Sequence, residues 1–67
     1  MAIYFTLREI LIKRGITERQ FAKQVKIREG TLYDICNNKI KRIPVELIDR
    51  ISEELNLEPG EWIKRKN

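Results

Sequence analysis

The residues able to do chemistry in this 67-residue chain are its charges. It has no His and a single Cys, and no carboxylate pair can be assigned to a cleft, so neither a nucleophile with its base nor an acid–base pair can be named. The same inventory leaves no disulfide within the chain and none of the usual zinc spacings. The expectation is therefore a protein without catalysis, cofactor or metal. What remains is ion recognition, where the placement of charge says more than the net +4. Lys39, Lys41 and Arg42 crowd one short segment, and Lys64, Arg65 and Lys66 form a second basic run, whereas residues 43–61 carry six carboxylates against Arg50 alone. A two-sided molecule follows, with one surface suited to a polyanion and another that is not.

The elements that must position these charges are organised around residues 16–39. Thr17 followed by Gln20 is a capping-box pattern, so a helix begins at Glu18, and Ile16 and Phe21 are placed as its hydrophobic staple. The small Ala22 lets another helix approach. After Val25 the pattern breaks at Lys26 and Ile27, then resumes as Thr31, Leu32, Ile35 and Cys36, spacings that make one helical face. Two helices of about eight residues joined by about three must cross steeply, which predicts a helix-turn-helix over about 17–37. Cys36 shares its face with Leu32 and Ile35 and is read as a small core residue.

Upstream, Thr6 with Glu9 is a second capping box and Phe5 with Ile10 its staple, predicting a helix over Leu7–Arg14 ended by Gly15. Downstream, Pro44 suits a first helical position, and Leu47, Ile48, Ile51 and Leu55 line one face of a fourth helix. Asn56 is its left-handed terminator, Leu57 folds back, and Pro59-Gly60 marks a turn or a short final helical turn. Trp62 and Ile63 close the base of the core, with a dimer contact as the alternative for Trp62. Ile3 reads as part of an extended arm, and Lys64–Asn67 as a frayed tail. The fold class is all-α, four to five short helices in a single domain over residues 1–67. The apolar run Ile10–Ile12 is too short to span a bilayer and the start lacks a secretory apolar region, so a soluble protein of the reducing cytoplasm is expected.

Ile16-Thr17, Phe21-Ala22, Val25, Ile27, Thr31, Leu32, Ile35, the Asn37-Asn38-Lys39 turn, Pro44, Leu47, Ile51, Leu55 and Leu57 together resemble the Cro/C1-type helix-turn-helix family, also called the Xre family, over residues 5–63. Residues 37–62 look especially like a compact bacterial subgroup that is little more than the DNA-binding domain. The resemblance implies a lambda-repressor-like fold, a bacterial or phage-encoded protein, and double-stranded DNA as partner. It puts residues 28–36 in the major groove. Arg28, Glu29, Thr31, Tyr33 and Asp34 are then the candidates for base or groove contact, and Thr17, Arg19, Asn38, Lys39, Lys41 and Arg42 those for phosphate. Cations and amides hold phosphates while side chains near the start of the second helix read base edges.

Three departures accompany the resemblance. Lys26 stands where the family has a turn glycine, Arg28 where it has a small polar cap, and Gly30 where a side chain commonly reads a base. Glu18, Glu29 and Asp34 place carboxylates near the expected DNA surface. Each repels phosphate unless it meets a cytosine amino group or a neutralising neighbour, for which Arg28, Lys26 and Asn38 are the candidates at Glu29 and Asp34.

The expected function is sequence-specific transcriptional regulation, as a repressor occupying an operator. A homodimer on two half-sites about one helical turn apart is expected, because one such module makes few base contacts. By family analogy its surface would be Pro44–Leu55 with Trp62. No membrane and no small-molecule ligand is expected. The competing expectation is a protein-interaction module of the same fold, an antitoxin-like or phage accessory protein, for which the carboxylates at the reading surface speak.

Overall fold

The computed structural model describes residues 2–66 in the order β1 (Ile3–Phe5), α1 (Leu7–Arg14), α2 (Glu18–Val25), α3 (Glu29–Cys36), α4 (Val45–Leu55), a 3-10 turn (Pro59–Glu61) and β2 (Ile63–Arg65). Four helices carry the fold, as the sequence predicts, and a small antiparallel sheet joins the two ends. Met1 and Asn67 lie outside the described residues.

Local signals set three of the helix ends. The Thr17 hydroxyl accepts the Gln20 backbone N–H at 3.1 Å, and the Gln20 side-chain oxygen accepts the Thr17 N–H at 3.2 Å, closing the predicted capping box at α2. Gly15 (φ 69°) and Asn56 (φ 57°) end α1 and α4 in the left-handed conformation. Two starts differ from expectation. Thr6 does not cap α1 with its side chain; its backbone N–H donates instead to the Trp62 carbonyl at 2.9 Å, so the strand pairing fixes its conformation. Pro44 is the residue preceding α4, extended at ψ 140°, and Val45 opens the helix.

The core is built from all four helices around Phe21, Leu7, Leu11, Leu32, Ile35, Ile51, Leu55 and Trp62, each nearly or fully excluded from water. Trp62 closes the base as expected. Its indole N–H donates to the Ser52 hydroxyl at 2.9 Å, which satisfies both buried groups, and its ring lies 6.0 Å from that of Phe5. The apolar face of α4 is narrower than its sequence suggests: Ile48, Ile51 and Leu55 pack inward, Leu47 stays half-exposed, and Val45 is 79% exposed.

Ile3 is extended as expected, but as part of a strand, and the sheet corrects the reading of Lys64–Lys66 as a frayed tail. Ile3, Tyr4 and Phe5 pair with Arg65, Lys64 and Ile63, and the Lys66 N–H donates to the Ala2 carbonyl at 2.7 Å. Among the described residues, no helix is long and apolar enough to cross a membrane.

Candidate nucleic-acid interface

Helix α3 buries Leu32, Ile35 and Cys36. Helical spacing then turns Arg28, Glu29, Gly30, Tyr33 and Asp34 to solvent, with Thr31 half-buried at the edge. The predicted reading residues thus share one exposed face.

The connection that sets α3 against α2 depends on Lys26, which adopts φ 59° where glycine would do so without steric cost. A lysine there stores about 1 kcal/mol of backbone strain. The start of α3 carries no side-chain cap on Arg28, as its residue type implies, so the first amide donors of the helix have no side-chain acceptor.

Arg19 and Glu29 link the first turns of α2 and α3, Nε to Oε1 at 3.5 Å, with both side chains well exposed. Arg19 is thus the neutralising partner of Glu29, in place of Arg28, Lys26 or Asn38. An exposed pair of this kind adds little stability. Its consequence is electrostatic, since it offsets one of the carboxylates at this surface. Beside it lies a notch of about 450 Å³ lined by Glu18, Arg19, Glu29, Gly30 and Tyr33. A Cβ built on Gly30 would meet nothing within 4 Å. Gly30→Ala should therefore stabilise α3 by about 0.5–1 kcal/mol through helix propensity alone, a gain that thermal unfolding would register.

The far end of α3 is tied down. Asn38, expected at phosphate, spends both ends of its carboxamide on β1: Oδ1 accepts the Phe5 N–H at 2.6 Å and Nδ2 donates to the Phe5 carbonyl at 3.3 Å. It holds this geometry from a left-handed backbone, φ 58°. Arg8 adds a second tie, Nη1 donating to Asn37 Oδ1 at 3.3 Å. The Lys39 ammonium sits 5.6 Å from the centre of the Tyr33 ring, a cation–π contact between two exposed side chains. Lys41 and Arg42 are exposed and, among the described residues, have no ion-pair partner. Thr17 is exposed, its hydroxyl oxygen occupied by the capping bond.

Sequence reasoning missed the Arg19–Glu29 pair, the Arg8–Asn37 tie and the Tyr33–Lys39 contact. Each joins residues that only the crossing of helices or the path of the following loop brings together.

Cys36 behaves as the core residue the sequence predicts. Burial, followed by repulsion from the neighbouring Glu18 carboxylate, pushes its thiol from an ordinary 9.0 up to about 12. The neutral thiol is thus favoured in the folded state. Its contribution to stability is full below about pH 9 and is lost as pH climbs toward 12. Folded protein should be inert to a thiol reagent at neutral pH and react only on unfolding, and Cys36→Ala should flatten the alkaline part of the stability profile. Among the described residues no group of three or more His, Cys, Asp or Glu could hold a metal ion.

Comparison with known proteins agrees with this geometry. The family model of the Cro/C1-type HTH DNA-binding domain matches residues 6–67. No curated relative matches the chain. Among solved structures, a "putative DNA-binding protein" from Bacteroides fragilis is 24% identical, with 92% of this chain and 98% of that one covered at a TM-score of 0.79, a likeness of fold. With nearly its whole length matched, this chain belongs to the Cro/C1-type helix-turn-helix DNA-binding domain family.

Proposed function

We propose that the protein is a sequence-specific, double-stranded-DNA-binding transcriptional regulator that represses by occupying an operator, with α3 in the major groove. The observation that carries this reading is the two-sidedness of α3. One face is locked into the core, while the other offers Arg28, Glu29, Thr31, Tyr33 and Asp34, with Lys41 and Arg42 free just beyond it. Arg28 and Thr31 are suited to base edges as donors, and Glu29, steadied by Arg19, can accept from a cytosine amino group. Lys39, Lys41 and Arg42 serve the backbone, joined by Arg19 and Thr17 at the start of α2. Asn38 acts indirectly, by fixing the end of α3 to β1.

The protein, encoded by a bacterium or a phage, works as a homodimer in the bacterial cytoplasm and performs no catalysis. Trp62 is fully buried and cannot meet a second subunit, so the dimer surface on this reading is α4 with its exposed Val45. Pairing of Glu29 with Arg19 removes part of the support for a protein-interaction module.

The test is a comparison of Arg28→Ala and Thr31→Ala with the parent on a selected operator and on scrambled duplexes. Loss of about 1–3 kcal/mol on the operator alone is expected for a base-reading side chain. Equal losses on every sequence would assign these residues to the phosphates.

A further inference from the structure

We propose that the open edge of β1 is a docking groove for an extended acidic peptide, which adds to the sheet as a third strand. The register shows which backbone groups are free. Thr6 donates to Trp62 and Lys66 to Ala2, so the even-numbered residues of β1 face β2. Antiparallel pairing alternates, and the N–H and C=O of Ile3 and Phe5 therefore point away from β2. Those of Phe5 are taken by the Asn38 carboxamide, a side-chain copy of the peptide group that a neighbouring strand would offer. At Ile3, two residues along the same edge, the pair meets no partner among the described residues.

Between this edge and the segment after α3 lies a groove of about 470 Å³, within the range of about 300–1,000 Å³ typical of ligand sites. Ile3, Ile40 and Ile43 give it apolar walls, and the exposed Lys41 and Arg42 line it as well. Unpaired strand edges are templates for added strands, in which backbone bonds give affinity and flanking pockets give selectivity. The charge chooses the occupant. A second copy pairing through β1 would bring its own Lys41 and Arg42 against these, whereas a segment with carboxylates neutralises them. Because Lys41 and Arg42 are also assigned to DNA phosphate, peptide and operator would exclude each other. The groove itself does not rest on that assignment.

The experiment titrates the isotopically labelled protein, without DNA, with a capped pentapeptide alternating valine and glutamate, and follows backbone amide resonances. The expected result is saturable shifts concentrated at Ile3 and over residues 38–43. Replacing the peptide's glutamates by lysine, or Lys41 and Arg42 by alanine, should weaken binding about tenfold or more, equivalent to about 1.4 kcal/mol. N-methylation of the peptide's amides should abolish binding without touching the protein. Ile3→Pro, which removes an N–H not used by β2, should weaken it as well. No shifts at millimolar peptide, equal response to the lysine peptide, or the same amides moving with protein concentration alone would overturn the proposal. So would a groove that responds to duplex DNA and not to the peptide.

Discussion

Replacing Trp62 by alanine should cost about 3–5 kcal/mol and leave much of the domain unfolded at physiological temperature. Trp62 is 0% exposed and stacks at a tilt on Phe5. Its indole also satisfies Ser52, and its carbonyl receives the Thr6 N–H that begins α1. Truncation leaves a cavity, an unpartnered buried hydroxyl and a loosened sheet at once. A domain this small has a total stability of about 3–10 kcal/mol, so a loss of that size consumes most of it. Trp62→Phe separates the contributions: most of the volume stays and only the Ser52 partner goes, a cost of about 1–3 kcal/mol. Chemical denaturation followed by circular dichroism checks both. A Trp62→Ala protein as stable as the parent would mean that this closure does not hold the fold.

Replacing Lys41 and Arg42 together by alanine should weaken DNA binding on every sequence and reduce the steepness of its salt dependence. Each phosphate contact contributes about 0.9 to the slope of log affinity against log salt, so the slope should fall by about 2. The two side chains are exposed and make no ion pair among the described residues, so stability should be little changed. Fluorescence anisotropy across a salt series with operator and scrambled duplexes measures this. An unchanged slope would remove both residues from the phosphate contacts. The contrast with Arg28→Ala, whose loss is expected on the operator alone, would separate holding DNA from reading it.

The features legible in the sequence are those decided locally or by burial. Thr17 with Gln20, Gly15 and Asn56 act within one helical turn, Cys36 follows from apolar neighbours at helical spacing, and Trp62 follows from its size and apolar character. Thr6 with Glu9 has the same pattern as Thr17 with Gln20 and yet forms no box, because Thr6 is first claimed by Trp62 across the sheet. That sheet was illegible: its strands are three residues each, lie at opposite ends of the chain and share no turn. Asn38 shows the same limit at the site. Its place just after α3 suggests phosphate, but the strand beside it, invisible in the sequence, takes its amide. The exposed face of α3 was legible because its buried face was. The Arg19–Glu29 pair across the turn needed the crossing of two helices, which no spacing encodes.

Recognition of a DNA sequence is measured by retention of fragmented genomic DNA on the protein at low and at higher salt. A sequence-reading dimer should retain a small set of fragments sharing a palindrome whose half-sites lie about one helical turn apart, with affinity falling steeply as salt rises. Failure to retain any DNA at low salt would contradict it.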